Sequence, residues 1–348
     1  MKIAFLSSEV YPFSKTGGLA DVSAGLPKAL SNKYIDIKVF TPYYKCAERF
    51  QPEYIPNSRI PIQIGDKIFD AELYQIKYPN SNLIVYFVGN PEFYFREHLY
   101  GIGNEDYTDN FSRFTFFTRA VLEYLRFFNW IPDIIHTNDW QTALAPAYLA
   151  TVYKPYFPNT KTVFTIHNIA YQGLFWVWDM KISGLPFTLF NWQQLEYYGK
   201  MNLLKGGIVF SDIVTTVSPT YAREILLSEY SYGLNTVLNE YKHKLFGIVN
   251  GVDYEEWSPE IDSLLPAQYS KDDLAGKKIN KNKLCELCNF PIDDTPVFGF
   301  VGRLVEQKGV KIIADAINEL MSKQIRIVVL GSGDKYWEGV FTDFNNRF

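Results

Sequence analysis

Six short apolar runs, rich in β-branched and aromatic residues, constrain this chain more than any other feature: residues 3–7, 37–41, 83–88, 134–137, 163–166 and 213–217. Strands buried on both faces read as continuous apolar runs, and segments of helical spacing separate these ones. The alternation predicts an α/β fold with a doubly wound parallel sheet. Residues 110–128 fit one long helix, and residues 59–78 alternate like a β-hairpin insert turning at Gly65-Asp66. At 348 residues the chain has room for two domains. The first is expected over residues 1–245 and the second over 246–348. In the second, a Pro-containing connection at 258–273 and a helix near 279–288 precede a strand at 297–301, a helix at 310–320 and a strand at 325–330. A doubly wound sheet commonly carries about six strands, so this second domain is expected to be incomplete.

Composition excludes several partners. The net charge is −4 and no long Lys/Arg block occurs, which disfavours nucleic acid, whose phosphates are held by clustered cations. No apolar run is long enough to span a bilayer, and Met1 leads into the first strand without the zones of a signal peptide. A cytoplasmic protein with no membrane partner is expected. Three cysteines, Cys46, Cys285 and Cys288, fit reduced thiols better than a disulfide framework. Cys285-x-x-Cys288 lies in a helix-like stretch without a second ligand pair, so it reads as a helix face and not a zinc site. Aromatics make up 17% of the chain; most fill cores, and the remainder would suit stacking on sugar rings or bases.

Chemistry-bearing residues cluster after the runs. Lys15-Thr16-Gly17-Gly18-Leu19-Ala20-Asp21-Val22 sits between the first run and a helix over residues 22–30, where a phosphate-holding turn would sit. The paired glycines let a ligand approach the backbone, the first-turn amides are expected to point outward as unsatisfied donors, and Lys15 adds a charge. A dinucleotide site is disfavoured: the glycines are adjacent, not G-x-G-x-x-G, and Thr41-Pro42 stands where an acidic ribose ligand belongs. Another phosphate group, or a turn with no ligand, remains. His136-Thr137-Asn138-Asp139-Trp140 and Thr165-Ile166-His167-Asn168 each place polar groups past a strand end, so Asp139 and His167 are candidates to share a pocket with Lys15. The structural alternatives are a helix-capping Asp and a hydrogen-bonded filler His. Gly302-Arg303-Leu304-Val305-Glu306-Gln307-Lys308-Gly309 is a second basic turn, and Arg303 with Lys308 would neutralise a diphosphate unless the pair is only a solvated helix entry. No Asp-x-Asp pair occurs, so no metal or other cofactor is expected and protein cations would do that work.

These motifs, together with Asn250-Gly251-Val252-Asp253, occur in the order in which they stand in the bacterial glycogen synthase and plant starch synthase family, which the chain closely resembles along essentially its whole length. The resemblance implies a GT-B glycosyltransferase, with two Rossmann-like domains facing a cleft. It implies transfer of glucose from ADP-glucose to the non-reducing end of an α-1,4-glucan with retention of configuration. By position it assigns Lys15 and the Gly18 amide to the diphosphate, Asp21 to the sugar or acceptor, Asp139 and His167 to the donor glucose with Asn168 beside them, and Asn250 to the interdomain segment. Arg303 and Lys308 fall to the departing ADP, and Tyr100 is a weaker match. The family's later Glu-Pro-x-Gly loop has no counterpart before Phe348, which implies a C-terminally truncated member without normal transfer. A nucleotide-sugar or glucan-binding fragment, or another GT-B transferase, are the alternatives.

Overall fold

The computed structural model describes residues 1–31, 33, 35–103 and 105–348. The chain divides into two compact units, Met1–Val252 and Asp253–Phe348. In the first, seven strands run parallel, numbered among themselves: β1 (Lys2–Leu6), β2 (Asp36–Pro42), β3 (Ile84–Gly89), β4 (Ile134–Asn138), β5 (Lys161–Ile166), β6 (Ile213–Thr216) and β7 (Leu245–Gly247). Their spatial order is β7-β6-β5-β4-β1-β2-β3. The order reverses at β1, whose Leu6 lies opposite Phe40 of β2 and Thr137 of β4. Ligands of open parallel sheets bind beyond the C-terminal ends of the strands at such a switch point.

Period-two alternation explains why β1 reads as one apolar run. Ala4 and Leu6 enter one core layer with Phe40 and Ile135, whereas Ile3 and Phe5 enter the opposite layer with Ile37, Val39, Val85 and Phe87. Helix α1 (Gly18–Ser31) follows β1, and the long helix α2 (Asn110–Phe127) buries Phe111, Phe114, Phe117, Val121 and Leu125 in the first of these layers. The hairpin of Ile60–Ile64 and Lys67–Lys77 turns at Gly65, which has φ 59°, and its second strand joins the sheet antiparallel to β3. Helix α3 (Leu203–Phe210) carries Gly206 and Gly207 in its interior, which its intrinsic propensity opposes. Packing decides otherwise: a Cβ on Gly207 would lie 2.6 Å from the Phe164 ring and one on Gly206 2.5 Å from Leu195. Glycine is what lets this helix lie close on the sheet.

The second unit holds a helix at Ala275–Leu287, strand β8 (Val297–Val301), helix α4 (Val310–Met321), strand β9 (Arg326–Leu330) and a final helix at Lys335–Arg347. β8 and β9 pair in parallel in a two-stranded sheet. Cys285 is buried, Cys288 half-buried, and both are free thiols. No helix among the described residues is long and apolar enough to cross a membrane.

Candidate functional site

The turn after β1 is built on a residue that motif spacing does not single out. Glu9 is 3% exposed. Its Oε2 accepts the Thr16 N–H at 2.5 Å and the Gly17 N–H at 3.3 Å, and its Oε1 accepts the Thr16 hydroxyl and the Tyr100 hydroxyl, each at 2.6 Å. Thr16 and Gly17 therefore do not point outward as unsatisfied donors; an internal carboxylate already holds them. α1 begins at Gly18, and the opening amides of a helix have no partner within it. Neither Gly17 nor Gly18 has a positive φ, and a Cβ built on either meets nothing within 4 Å. The fold itself does not require glycine at these two positions. What the pair leaves is bare backbone fronted by open space.

Lys15 Nζ lies 2.7 Å from Asp21 Oδ1 and 5.1 Å from the centre of the Tyr11 ring. Both members of the ion pair are more than a third exposed, so the pair contributes at most about 1 kcal/mol. An arriving anion of higher charge can displace Asp21 from it. Tyr100, also bonded to Ser8 Oγ at 2.8 Å, is tied to this turn through Glu9.

At the ends of β4 and β5, Asp139 has φ 53°, a left-handed conformation that Asp tolerates better than most residues and that recurs at functional sites. Its Oδ1 accepts the backbone N–H of His167 at 2.8 Å and that of Asn168 at 3.4 Å. Burial pushes the Asp139 carboxyl up to about 7 against the pull of those two bonds. Asn168 Oδ1 closes a local turn on Ala170 N–H at 3.0 Å. His167 Nε2 lies 3.0 Å from Asn138 Oδ1, and Asn138 Nδ2 donates to Leu6 O at 2.9 Å. With its amide oriented by Leu6, Asn138 accepts from Nε2–H, which leaves His167 Nδ1 as the acceptor. Burial lowers His167 to about 4, so near neutral pH its ring is an uncharged hydrogen-bonding group.

His136 sits deeper, with Nε2 2.7 Å from Thr165 Oγ1, and burial followed by the neighbouring His167 lowers it to about 3. Both histidines have folded pKa values below the ordinary 6.5. Their stability contribution is present above that value and is lost as pH falls through it toward about 4 and 3. Urea midpoints at pH 7 and pH 5 should show this loss, and His136→Gln should flatten the difference.

The structure brings Lys15 together with Asp21, Asp139 with His167 and Asn168, and Tyr100 with the Lys15 turn through Glu9. Asn250 is exposed in irregular backbone after β7. In the second unit Arg303 and Lys308 are exposed in the segment that follows β8, Lys308 ending a short 3-10 turn before Gly309, which has φ 79°. No cluster of three His, Cys, Asp or Glu side chains able to hold a metal occurs among the described residues.

Comparison with known proteins decides what this edge belongs to. The model of the starch synthase catalytic domain matches residues 2–240. The chain belongs to the starch synthase catalytic domain family. It is accordingly a glucosyltransferase of glycogen or starch synthesis, with the GT-B fold of its solved neighbour. Glycogen synthase of Pseudothermotoga lettingae is 40% identical over 359 residues, covering 100% of this chain and 72% of the relative. Glycogen synthase of Desulforudis audaxviator is 42% identical over 357 residues, covering 99% and 70%. The catalytic domain of starch synthase IV from Arabidopsis thaliana, solved with ADP and acarbose bound, superposes with a TM-score of 0.91 at 33% identity, covering 99% of this chain and 71% of that one. In this starch synthase domain the Lys15 turn, Asp139 and His167 all stand at the C-terminal ends of strands around the switch point.

Proposed function

We propose that this glucosyltransferase takes ADP-glucose as donor and adds glucose to the non-reducing end of an α-1,4-glucan with retention of configuration. The bare backbone of Gly17 and Gly18 beside Lys15 carries the reading, because glycine there serves no need of the fold. In this scheme the diphosphate displaces Asp21 from Lys15 and lies against the Gly18 amide at the start of α1, where the helix dipole favours negative charge. Thr16 and Gly17 contribute shape, since Glu9 holds their amides. Neutral His167 offers a hydrogen bond to the donor sugar, and Asp139 supplies negative charge to a reacting centre that grows positive as the glycosidic bond breaks. Asn168 holds the loop that carries both amides to Asp139, Asn250 belongs to the segment joining the units, and Tyr100 positions Glu9. Arg303 and Lys308 stabilise charge on the departing ADP, an interaction that strengthens in the transition state. Free cysteines and a nucleotide-sugar donor fit a cytoplasmic enzyme.

The test is incorporation of labelled glucose into glycogen from ADP-glucose and, separately, from UDP-glucose. Preference for ADP-glucose supports the reading; transfer from neither donor, with glycogen still bound, leaves a glucan-binding protein in its place. Lys15→Ala should weaken ADP binding by roughly 1.5 to 3 kcal/mol, the range for loss of a charge-assisted bond. Unchanged calorimetric affinity would remove Lys15 from the donor site.

A further inference from the structure

Lys38 stands where β2 would be expected to present an apolar side chain. Strand alternation puts it on the face of Phe40, which packs in the core layer that α2 covers. Its Nζ meets no carboxylate within ion-pair distance among the described residues. Instead it donates to the Tyr86 hydroxyl at 3.1 Å and lies 5.0 and 5.2 Å from the centres of the Tyr86 and Trp130 rings. Asp36, two residues back on the same face, is exposed and accepts from Trp130 Nε1 at 3.0 Å. Beside Lys38 a cavity of about 230 Å³ lies between the last turn of α2 and the sheet. Phe40, Ile55, Leu73 and Leu125 give it apolar walls, and Gln75 adds a side-chain amide. Tyr124 also lines it, only 1% exposed, and its buried hydroxyl has no hydrogen-bond partner.

We infer that this cavity is a binding site for a small monocarboxylate carried on a ring-sized apolar body. A cavity of about 150 Å³ takes one benzene, so this one has room for a ring and a short acid arm. The polar groups fix the rest. Lys38 supplies one positive charge, and Tyr124 and Gln75 supply neutral donors, which suits an acceptor-only group of charge −1. A phosphate dianion would need further cations. A sugar fits worse still, because hydroxyls around its whole rim would face apolar walls without partners. The carboxylate gives the Tyr124 hydroxyl the acceptor it lacks, and buried polar groups rarely go without one. Lys38 and Tyr86 lie in the N-terminal halves of β2 and β3, whereas the Lys15 turn, Asp139 and His167 follow C-terminal strand ends. The inference is therefore independent of the donor and glucan proposed above.

Calorimetric titration of the whole chain with phenylacetate should give saturable one-to-one binding with a Kd of about 1 mM or below. Phenylacetamide, alike in shape but uncharged, should bind at least about tenfold more weakly. Lys38→Met keeps an unbranched stem and removes the charge; it should weaken the acid at least about tenfold and leave the amide within about twofold. Tyr124→Phe removes only the unpartnered hydroxyl, so thermal stability should hold or rise, while affinity for the acid falls about threefold or more. Saturating ADP or maltotriose should leave the titration unchanged. Absence of saturable binding, an amide bound as tightly as the acid, an acid affinity unaltered in both variants, or competition by ADP or maltotriose each overturns the inference.

Discussion

Replacing Asp139 by Asn is expected to lower kcat by about 10²- to 10³-fold with little change in KM, the pattern for an interaction made in the transition state. Asn retains the side-chain oxygen that accepts from His167 and Asn168, so the loop keeps its shape and only the charge is lost. The parent carries a pH signature that the variant should lack. With the carboxyl pushed up to about 7 by burial, activity should fall as pH drops below 7, and this limb should vanish in Asp139→Asn. Stability moves oppositely. A carboxyl whose folded pKa exceeds its unfolded one contributes stability that is full below about 4 and is lost as pH rises through about 7. Asp139→Asn should therefore gain stability over the parent at pH 8 and gain less at pH 5. A variant with normal kcat at pH 7 would remove Asp139 from the chemistry.

Glu9→Ala is expected to be the more damaging substitution to structure. It removes a carboxylate only 3% exposed that accepts from two backbone amides, the Thr16 hydroxyl and the Tyr100 hydroxyl, of which Tyr100 keeps Ser8 Oγ as a second partner. Leaving a buried donor without an acceptor costs about 1 to 3 kcal/mol, and less where water reaches the group, as at exposed Thr16. Water entering the gap offsets part of that, so a net loss of about 2 to 4 kcal/mol is expected, read as a lower denaturation midpoint at unchanged m-value. ADP affinity should fall with it, because the turn presenting Lys15 and Gly18 loses its anchor. Glu9→Gln should recover much of the stability, its carbonyl facing the amides and its NH₂ facing the two hydroxyls. If Glu9→Ala unfolds more easily yet binds ADP as the parent does, the turn is not where the diphosphate sits.

The framework was legible because parallel strands buried on both faces have few alternatives to continuous apolar runs. Residues 134–137 and 163–166 thus correspond to Ile134–Asn138 and Lys161–Ile166, and the hairpin turn falls at Gly65 as its alternation implies. Strands whose partners supply the stability were not legible. Leu245–Gly247 is three residues long and finds its place by pairing with Val214–Thr216. The small sheet of Leu174–Trp176, Glu196–Tyr197 and Lys200–Asn202 is built of strands two or three residues long, and only the first of them is apolar throughout. Gly206-Gly207 reads locally as a helix breaker, and only the Phe164 ring beneath explains the helix.

The candidate site divides along the same line. Lys15, Asp139 and His167 could be named from the chain alone, because strand ends in a doubly wound sheet are fixed by apolar runs and polar residues just beyond them converge at the switch point. Local sequence does not encode which groups then neutralise one another. Only the tertiary structure decides that Glu9 takes the Thr16 and Gly17 amides, that Lys15 rests on Asp21, and that burial makes Asp139 a carboxyl near 7 and His167 a neutral ring. Hydrogen bonding and desolvation depend on three-dimensional neighbours far apart in the chain, 91 residues for Glu9 and Tyr100 and 132 for Leu6 and Asn138. The sequence determined where chemistry can stand; packing determined the charge and hydrogen-bonding state in which it stands there.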